Sequence, residues 1–243
     1  MFLVSKICGH SGFFNLFVKS SIVKRKTDDV AAVMNALKKD RKKFTSTAMT
    51  EISEADDPFK VLVSCILSLR TKDATTEKAS EKLFKLAATT KKLANLDIKK
   101  IRKAIYSVNY YKTKARRIKQ ISSELAKKYS GKVPDNIDEL MKFNGVGRKT
   151  ANIVIVYGFR KPGMPVDTHV HRISNRLGWV NTKTPEKTEL ALRELVPKKY
   201  WIDVNDLFVQ FGQNVCRPIN PKCDACPVSR YCDYYKGKSV MKR

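Results

Sequence analysis

Four cysteines fall within the seventeen residues from Cys216 to Cys232, in the spacing Cys216-x6-Cys223-x2-Cys226-x5-Cys232. No other feature restricts the folding of this 243-residue chain as tightly, because so short a segment with four thiols is shaped by whatever those thiols hold. Disulfides are a poor use for them: the chain is strongly basic, and its N-terminal apolar pieces are too broken for a secretory leader. A metal centre is expected. Zinc is the default for four thiolates, yet zinc ribbons pair two knuckles of closely spaced cysteines, and here Cys223 and Cys226 are close while the outer gaps are six and five residues. The other two cysteines stand apart: Cys65 reads as a small buried residue of "VLVSCIL", and Cys8 as part of a basic arm.

The rest of the chain reads as helix after helix. Apolar residues recur at helical spacing in "VAAVMNALKKD", "PFKVLVSCILSL", "EKASEKLFKLA", "ARRIKQISSELAKKY" and "TELALRELV", and no apolar/polar alternation persists. The expected class is all-α. Breaks fall at 56–59, 130–136, 158–167 and 181–186, each carrying Pro or Gly with capping residues, and "RKPGMP" at 160–165 is the sharpest internal boundary. No apolar run approaches the roughly 18 residues that a membrane span requires. The 49 Lys plus Arg against 23 Asp plus Glu give a net charge of +26, which would repel itself unless a polyanion is the partner, so nucleic acid is the first expectation. Residues 1–27 carry five basic residues and no acid and read as a disordered basic arm, with an organelle-type transit peptide as the alternative; residues 237–243 are a basic tail.

The stretch "FNGVGRKTA" at 143–151 sits between "PDNIDELMKF", where Asp135 is placed to cap a helix, and the apolar "ANIVIVYGF". Two helices therefore flank a short turn. Gly145 and Gly147 allow that turn to be tight and its backbone to come close to a ligand, while the free N–H groups opening the second helix suit a phosphate. Farther on, "PVDTHVHRISNRLGW" supplies Asp167 in a loop, followed by His169 and His171. The two histidines read as hydrogen-bonding residues near a site rather than as catalysts, and Trp179, Trp201, Phe208 and Phe211 as core.

In this order, "GVGRKTA", "VDTH" and the cysteine loop resemble the endonuclease III family of DNA glycosylases over roughly residues 30–235. The resemblance implies a two-lobed all-α helix-hairpin-helix fold. Residues 51–161 would form a six-helix barrel, and residues 28–50 would join 162–236 in a helical lobe around a [4Fe-4S] cluster held by Cys216, Cys223, Cys226 and Cys232. It further implies base excision from damaged double-stranded DNA by a monomer, with Lys149 as an amine nucleophile and Asp167 as its carboxylate partner. An unperturbed lysine is protonated at neutral pH, so such a nucleophile needs desolvation and cationic neighbours such as Arg148. Oxidised pyrimidines are the implied substrates, and β-elimination through the lysine Schiff base the implied strand cut.

DNA contacts are expected from Gly145, Gly147 and Arg148 in the hairpin, from Arg217 and Lys222 on the proline-stiffened cysteine loop, and from Arg70 and Tyr110. Arg70 stands where relatives commonly have Gln at the gap left by a flipped base. Asn109 and Tyr110 replace a Gly and an apolar residue, and Asn144 replaces a Pro at the hairpin. From Lys91 to Lys119 there are eleven basic residues and one acid, a stripe suited to DNA. Two other readings stay open: a monofunctional adenine or mismatch-thymine glycosylase of the same superfamily, and a non-catalytic iron–sulfur DNA-binding module. Location follows the substrate, in the cytoplasm with the nucleoid, or in a nucleus or mitochondrion if the arm is a targeting peptide.

Overall fold

The computed structural model describes residues 28–41 and 57–241, with side chains through 237. The basic arm with Cys8, residues 42–56 and the end of the basic tail lie outside the described residues. Among those described, every regular element is helical. In chain order they are α1 (28–40), α2 (Pro58–Ser68), α3 (Asp73–Leu86), α4 (Thr90–Asn95), α5 (Ile98–Ala104), α6 (Tyr111–Lys128), α7 (Ile137–Met141), α8 (Arg148–Ile153), α9 (Thr168–Arg176), α10 (Pro185–Leu195), α11 (Trp201–Asn214) and α12 (Asp233–Met241).

Helix starts follow local chemistry. Asp57 accepts from the N–H groups of Phe59 (3.0 Å) and Lys60 (3.2 Å), with Pro58 inside the first turn of α2. Thr184 and Pro185 repeat that device at α10. At α7 the cap is Asn136, whose Oδ1 accepts from Asp138 and Glu139, and not Asp135, whose carboxylate is drawn to Lys161 across the fold. After α8 the chain widens into a π turn over Val154–Gly158 instead of continuing as α-helix.

Buried apolar residues gather in two clusters. The first is centred on α2, whose residues from Val61 to Leu67 are all buried, and draws on α3 to α8 and the π turn through Tyr157. The second joins Val30, Val33, Met34 and Leu37 of α1 to α9, α10 and α11, with Trp179 and Phe208 in ring contact at 5.5 Å. Trp201 and Phe211 are buried in the same cluster, as their helical spacing suggests. A sequence-distant helix at the N-terminus thus completes a core otherwise built after residue 163.

The two clusters are bridged by a buried carboxylate. Glu189 on α10 is 2% exposed and accepts from Arg148 Nε (2.7 Å) and Asn152 Nδ2 (3.2 Å) on α8 and from Arg193 Nε (2.9 Å). Asn152 Oδ1 in turn accepts from the Met164 N–H (2.9 Å) and Arg193 Nη2 (3.0 Å). The helix that follows the glycine hairpin is therefore tied directly to the second cluster.

Candidate active site and nucleic-acid interface

The hairpin closes with Val146 N–H donating to Phe143 C=O, and Gly145 lies at φ +85°, a conformation that favours glycine. A Cβ at Gly145 would come within 2.9 Å of Arg117 Cδ, so α6 lays an arginine against the turn. Gly147 caps α8 at an ordinary φ of −92°, and a Cβ there would meet nothing within 4 Å. Gly147 therefore borders open space at the start of α8. Arg148 Nε is committed to Glu189, which holds that edge of the guanidinium inside the protein, while the side chain remains 32% exposed.

Lys149 follows on α8 and is exposed, so the desolvation expected of an amine nucleophile is not supplied by the protein alone. Asp167 opens α9, its Oδ1 accepting from the Val170 N–H at 2.8 Å. His169 senses both charges. Burial lowers its pKa from the ordinary value, Asp167 works against that shift, and Arg172 and Lys149 add to it. Arg172 Nη2 lies 3.1 Å from His169 Nδ1. Because a guanidinium can only donate, Nδ1 is the acceptor and the ring proton sits on Nε2. His171 is turned to Thr188 Oγ1 at 2.6 Å. Lys149 also acts electrostatically on the buried Cys65, whose thiol burial pushes up to about 12. Tyr157 on the π turn is raised in the same sense, by burial first and then by Asp206, Cys65 and Asp167.

A second group of candidates stands on two neighbouring loops. Arg70 leaves α2 at φ +55°, and Tyr110 precedes α6 at φ +58°, 63% exposed. Both are left-handed non-glycine residues, a geometry that costs of order 1–3 kcal/mol each and concentrates at functional sites. They line one pocket together with Leu69, Thr113, Lys114 and Arg117. Sequence reading passed over Lys114, Arg117 and Glu189. Lys114 carried a signal, since it shares the buried stripe of α6 with Ala115, Ile118, Ile121 and Leu125. Arg117 and Glu189 carried none, because their partners lie in elements remote in sequence.

The four cysteines of the C-terminal loop line a single pocket with Ile173, Leu177, Phe211 and Val215. All four are free thiols. Burial pushes Cys226 up to about 11 and raises Cys232, so a bound metal would be needed to hold them as thiolates. Arg176 Nη1 donates to Cys216 Sγ (3.4 Å) and to the Arg217 carbonyl (2.8 Å), and Nη2 to the Pro218 carbonyl (3.0 Å). The donor set therefore fits an anionic metal–sulfur group: four thiols, apolar walls and a guanidinium on one sulfur. Among the described residues no three His, Cys, Asp or Glu side chains converge tightly enough for a single metal ion. Arg217 and Lys222 are exposed on the outer rim of the same loop.

The family described as HhH-GPD superfamily base excision DNA repair protein matches residues 63–198. Endonuclease III of Thermotoga maritima is 51% identical over 188 residues, which are 76% of this chain and 88% of that protein. Among solved structures, a trapped covalent intermediate of endonuclease III with DNA, in an estranged-adenine complex, has a TM-score of 0.69 at 35% identity, covering 75% of this chain and 86% of that one. A thermostable thymine-DNA glycosylase has a TM-score of 0.76 at 26% identity, covering 88% and 98%.

Proposed function

Because the chain belongs to the HhH-GPD superfamily of base excision DNA repair proteins, and within it to the endonuclease III family, we propose that Lys149 is its nucleophile and Asp167 the carboxylate that works with it. The protein is a bifunctional repair enzyme, a DNA glycosylase and apurinic/apyrimidinic lyase. What supports the residue assignment is the placement of the two groups, Lys149 in the first turn of α8 directly after the Gly147 cap and Asp167 as the cap of α9, with His169, two residues beyond Asp167, under the electrostatic influence of both. The fold cannot make this choice, since a thymine-DNA glycosylase resembles the chain as closely as endonuclease III does. An amine in the site can.

The nucleotide must first leave the stack, because its C1′ is inaccessible in the duplex. Once the extruded nucleotide covers Lys149 and excludes water, its Nζ in the neutral form bonds to C1′ while the bond from C1′ to the base breaks and the base departs with that electron pair. Asp167 stabilises the positive charge that grows on the sugar and holds the amine in line. The ammonium passes a proton to O4′ as the C1′–O4′ bond opens, which gives an iminium at C1′; loss of a C2′ proton then breaks the C3′–O bond and expels the 3′ phosphate. Gly145, Gly147, Arg217 and Lys222 hold phosphates, while Arg70 and Tyr110 enter the duplex as the base leaves it.

Cys216, Cys223, Cys226 and Cys232 would hold a [4Fe-4S] cluster, whose contribution is to brace the loop carrying Arg217 and Lys222. The spacing, with only Cys223 and Cys226 close and outer gaps of six and five residues, suits a cluster better than the paired knuckles of a zinc ribbon. The two hydrophobic clusters support reading residues 51–161 as the barrel lobe and 28–50 with 162–236 as the cluster-bearing lobe. Damaged duplex DNA with oxidised pyrimidines is the substrate, taken by a monomer. No described helix is long and apolar enough to cross a membrane. The choice between a nucleoid and an organelle turns on residues 1–27.

Borohydride trapping on a duplex bearing thymine glycol tests the reading. A covalent adduct is expected with the wild type and none with Lys149→Ala. Base release without an adduct would transfer the chain to the monofunctional glycosylases, and tight binding without release would leave a DNA-binding module. Protein purified without oxygen should carry iron and acid-labile sulfide at about four each per chain; one zinc and no sulfide would overturn the cluster.

A further inference from the structure

Lys114 is buried, at 3% exposure, on the apolar stripe of α6. An ammonium has three protons to give, and all three have takers: Leu67 C=O at 2.7 Å, Leu69 C=O at 2.6 Å and Thr71 Oγ1 at 2.9 Å. Leu67 and Leu69 belong to the C-terminal end of α2, where carbonyls lack helical partners and the dipole is negative. Burial alone pushes the ammonium down to about 8, yet the three oxygens favour its charged form.

What Lys114 encloses is more telling than what it touches. Arg70 lies between Leu69 and Thr71, both of which receive Lys114 protons. Across the gap, the Asn109 N–H donates to Thr71 Oγ1 at 3.2 Å, and Asn109 Nδ2 donates to the Arg70 carbonyl. Tyr110 comes next, and the backbone N–H of Lys114 donates to the Tyr110 carbonyl at 3.0 Å. The circuit is closed: from the end of α2 through Arg70 and Thr71 to Asn109 and Tyr110, and back to α2 through Lys114. The two left-handed exposed residues sit inside it.

We propose that Lys114 is a positioning residue that fastens Arg70 and Tyr110 into one rigid two-pronged unit before DNA arrives. It rests on the reading that those two residues enter the duplex when a base is extruded. Strained backbones at both tips persist because the ring of hydrogen bonds holds them. A probe that must enter a stacked duplex gains from arriving already ordered, since ordering on binding would subtract from the affinity. Lys114 touches neither base nor sugar; it acts through the residues it fixes.

The test compares duplex with single-stranded substrate, because an abasic site in a single strand requires no insertion. Lys114→Met keeps the length and removes the donors. For thymine glycol in duplex DNA its kcat/KM should fall by about 10- to 100-fold, the scale of a displacement near 1 Å in a positioned group. Borohydride trapping on a single-stranded abasic oligonucleotide should fall at least tenfold less. A 2-aminopurine opposite the lesion gives a readout independent of chemistry: its fluorescence should rise when wild type binds and rise much less with Lys114→Met. Equal losses on duplex and single strand would reduce Lys114 to a folding role and overturn the proposal, as would a wild-type 2-aminopurine response in the variant. If Lys114→Met does not fold, the exposed Asn109→Ala decides: a smaller defect confined to duplex supports the unit, and no duplex defect overturns it. Failure of the wild type to form any adduct would strike the proposed nucleophile and not the two-pronged unit, which the 2-aminopurine signal still reports.

Discussion

Asp167 has two duties that a pair of substitutions separates. Its Oδ1 accepts the Val170 N–H at 2.8 Å as the cap of α9, and Val170 is fully buried in the second cluster. Asparagine caps as well as aspartate, so Asp167→Asn keeps that bond and loses the attraction of a carboxylate to the helix N-terminus, about 0.3–1 kcal/mol. Asp167→Ala removes the bond itself, at about 1–2 kcal/mol. For chemistry the order differs. Both variants lack the charge that opposes the growing sugar cation, so both should lose about 10²–10³ in the single-turnover rate of base release, equivalent to about 2.7–4 kcal/mol. Urea unfolding followed by circular dichroism gives the first pair of numbers, and quenched release of thymine glycol gives the second. The signature is Asp167→Asn: nearly wild-type stability with the full kinetic loss. If it keeps more than about a tenth of the wild-type rate while Asp167→Ala is slow, the carboxylate is a cap and its catalytic assignment fails.

Glu189→Gln leaves Arg148 and Arg193 facing each other without a counter-charge; since those side chains are 32% and 25% exposed, the loss in urea unfolding should be about 2–3 kcal/mol, below that of a fully buried pair. A loss under about 0.5 kcal/mol would make the network decorative. The hairpin glycines should part company: Gly145→Ala, at φ +85° and 2.9 Å from Arg117 Cδ, costs about 1–2 kcal/mol of stability, whereas Gly147→Ala leaves stability within about 0.5 kcal/mol and weakens binding to DNA of any sequence. Reversed effects would misplace the phosphate contact. Lys114 has a pKa lowered to about 8 in the fold from an ordinary value of 10.5, so between these pH values the unfolded chain binds more protons and stability rises with pH. Relative to Lys114→Met, wild type should therefore gain stability between pH 8 and 10.5; a flat difference curve would show that the three oxygen acceptors hold the pKa near its ordinary value.

The helical class and the breaks were legible because they rest on short-range chemistry. Pro58, Pro185 and the glycine hairpin punctuate the chain in the sequence as they do in three dimensions. The four cysteines announced a shared pocket by spacing alone. Errors arose where two local options were close in energy and a distant residue decided. Asp135 and Asn136 are both good caps; Lys161, 26 residues on, takes Asp135 and leaves Asn136 to α7. The tie from Arg148 to Glu189, 41 residues away in sequence, likewise had no local signal. The π turn over Val154–Gly158 has no counterpart in periodicity, and nothing in the local sequence accounts for it.

These same residues change the meaning of the +26 charge. A basic chain that binds DNA invites the inference that each cation stands ready for a phosphate. Lys114 spends its charge on α2 carbonyls, Arg148 and Arg193 on Glu189, and Arg172 and Arg176 on the backbone of the cysteine loop. Each of those contacts fixes an element that carries a candidate functional residue: Arg70, Lys149, or Arg217. Part of the positive charge in this chain is therefore internal scaffolding, used where a helix end or a loop offers unpaired carbonyls or a buried carboxylate. Affinity for DNA should be reckoned from the exposed cations around Gly147, Arg217 and Lys222, while the buried ones decide whether those groups, and Lys149 with them, arrive in register.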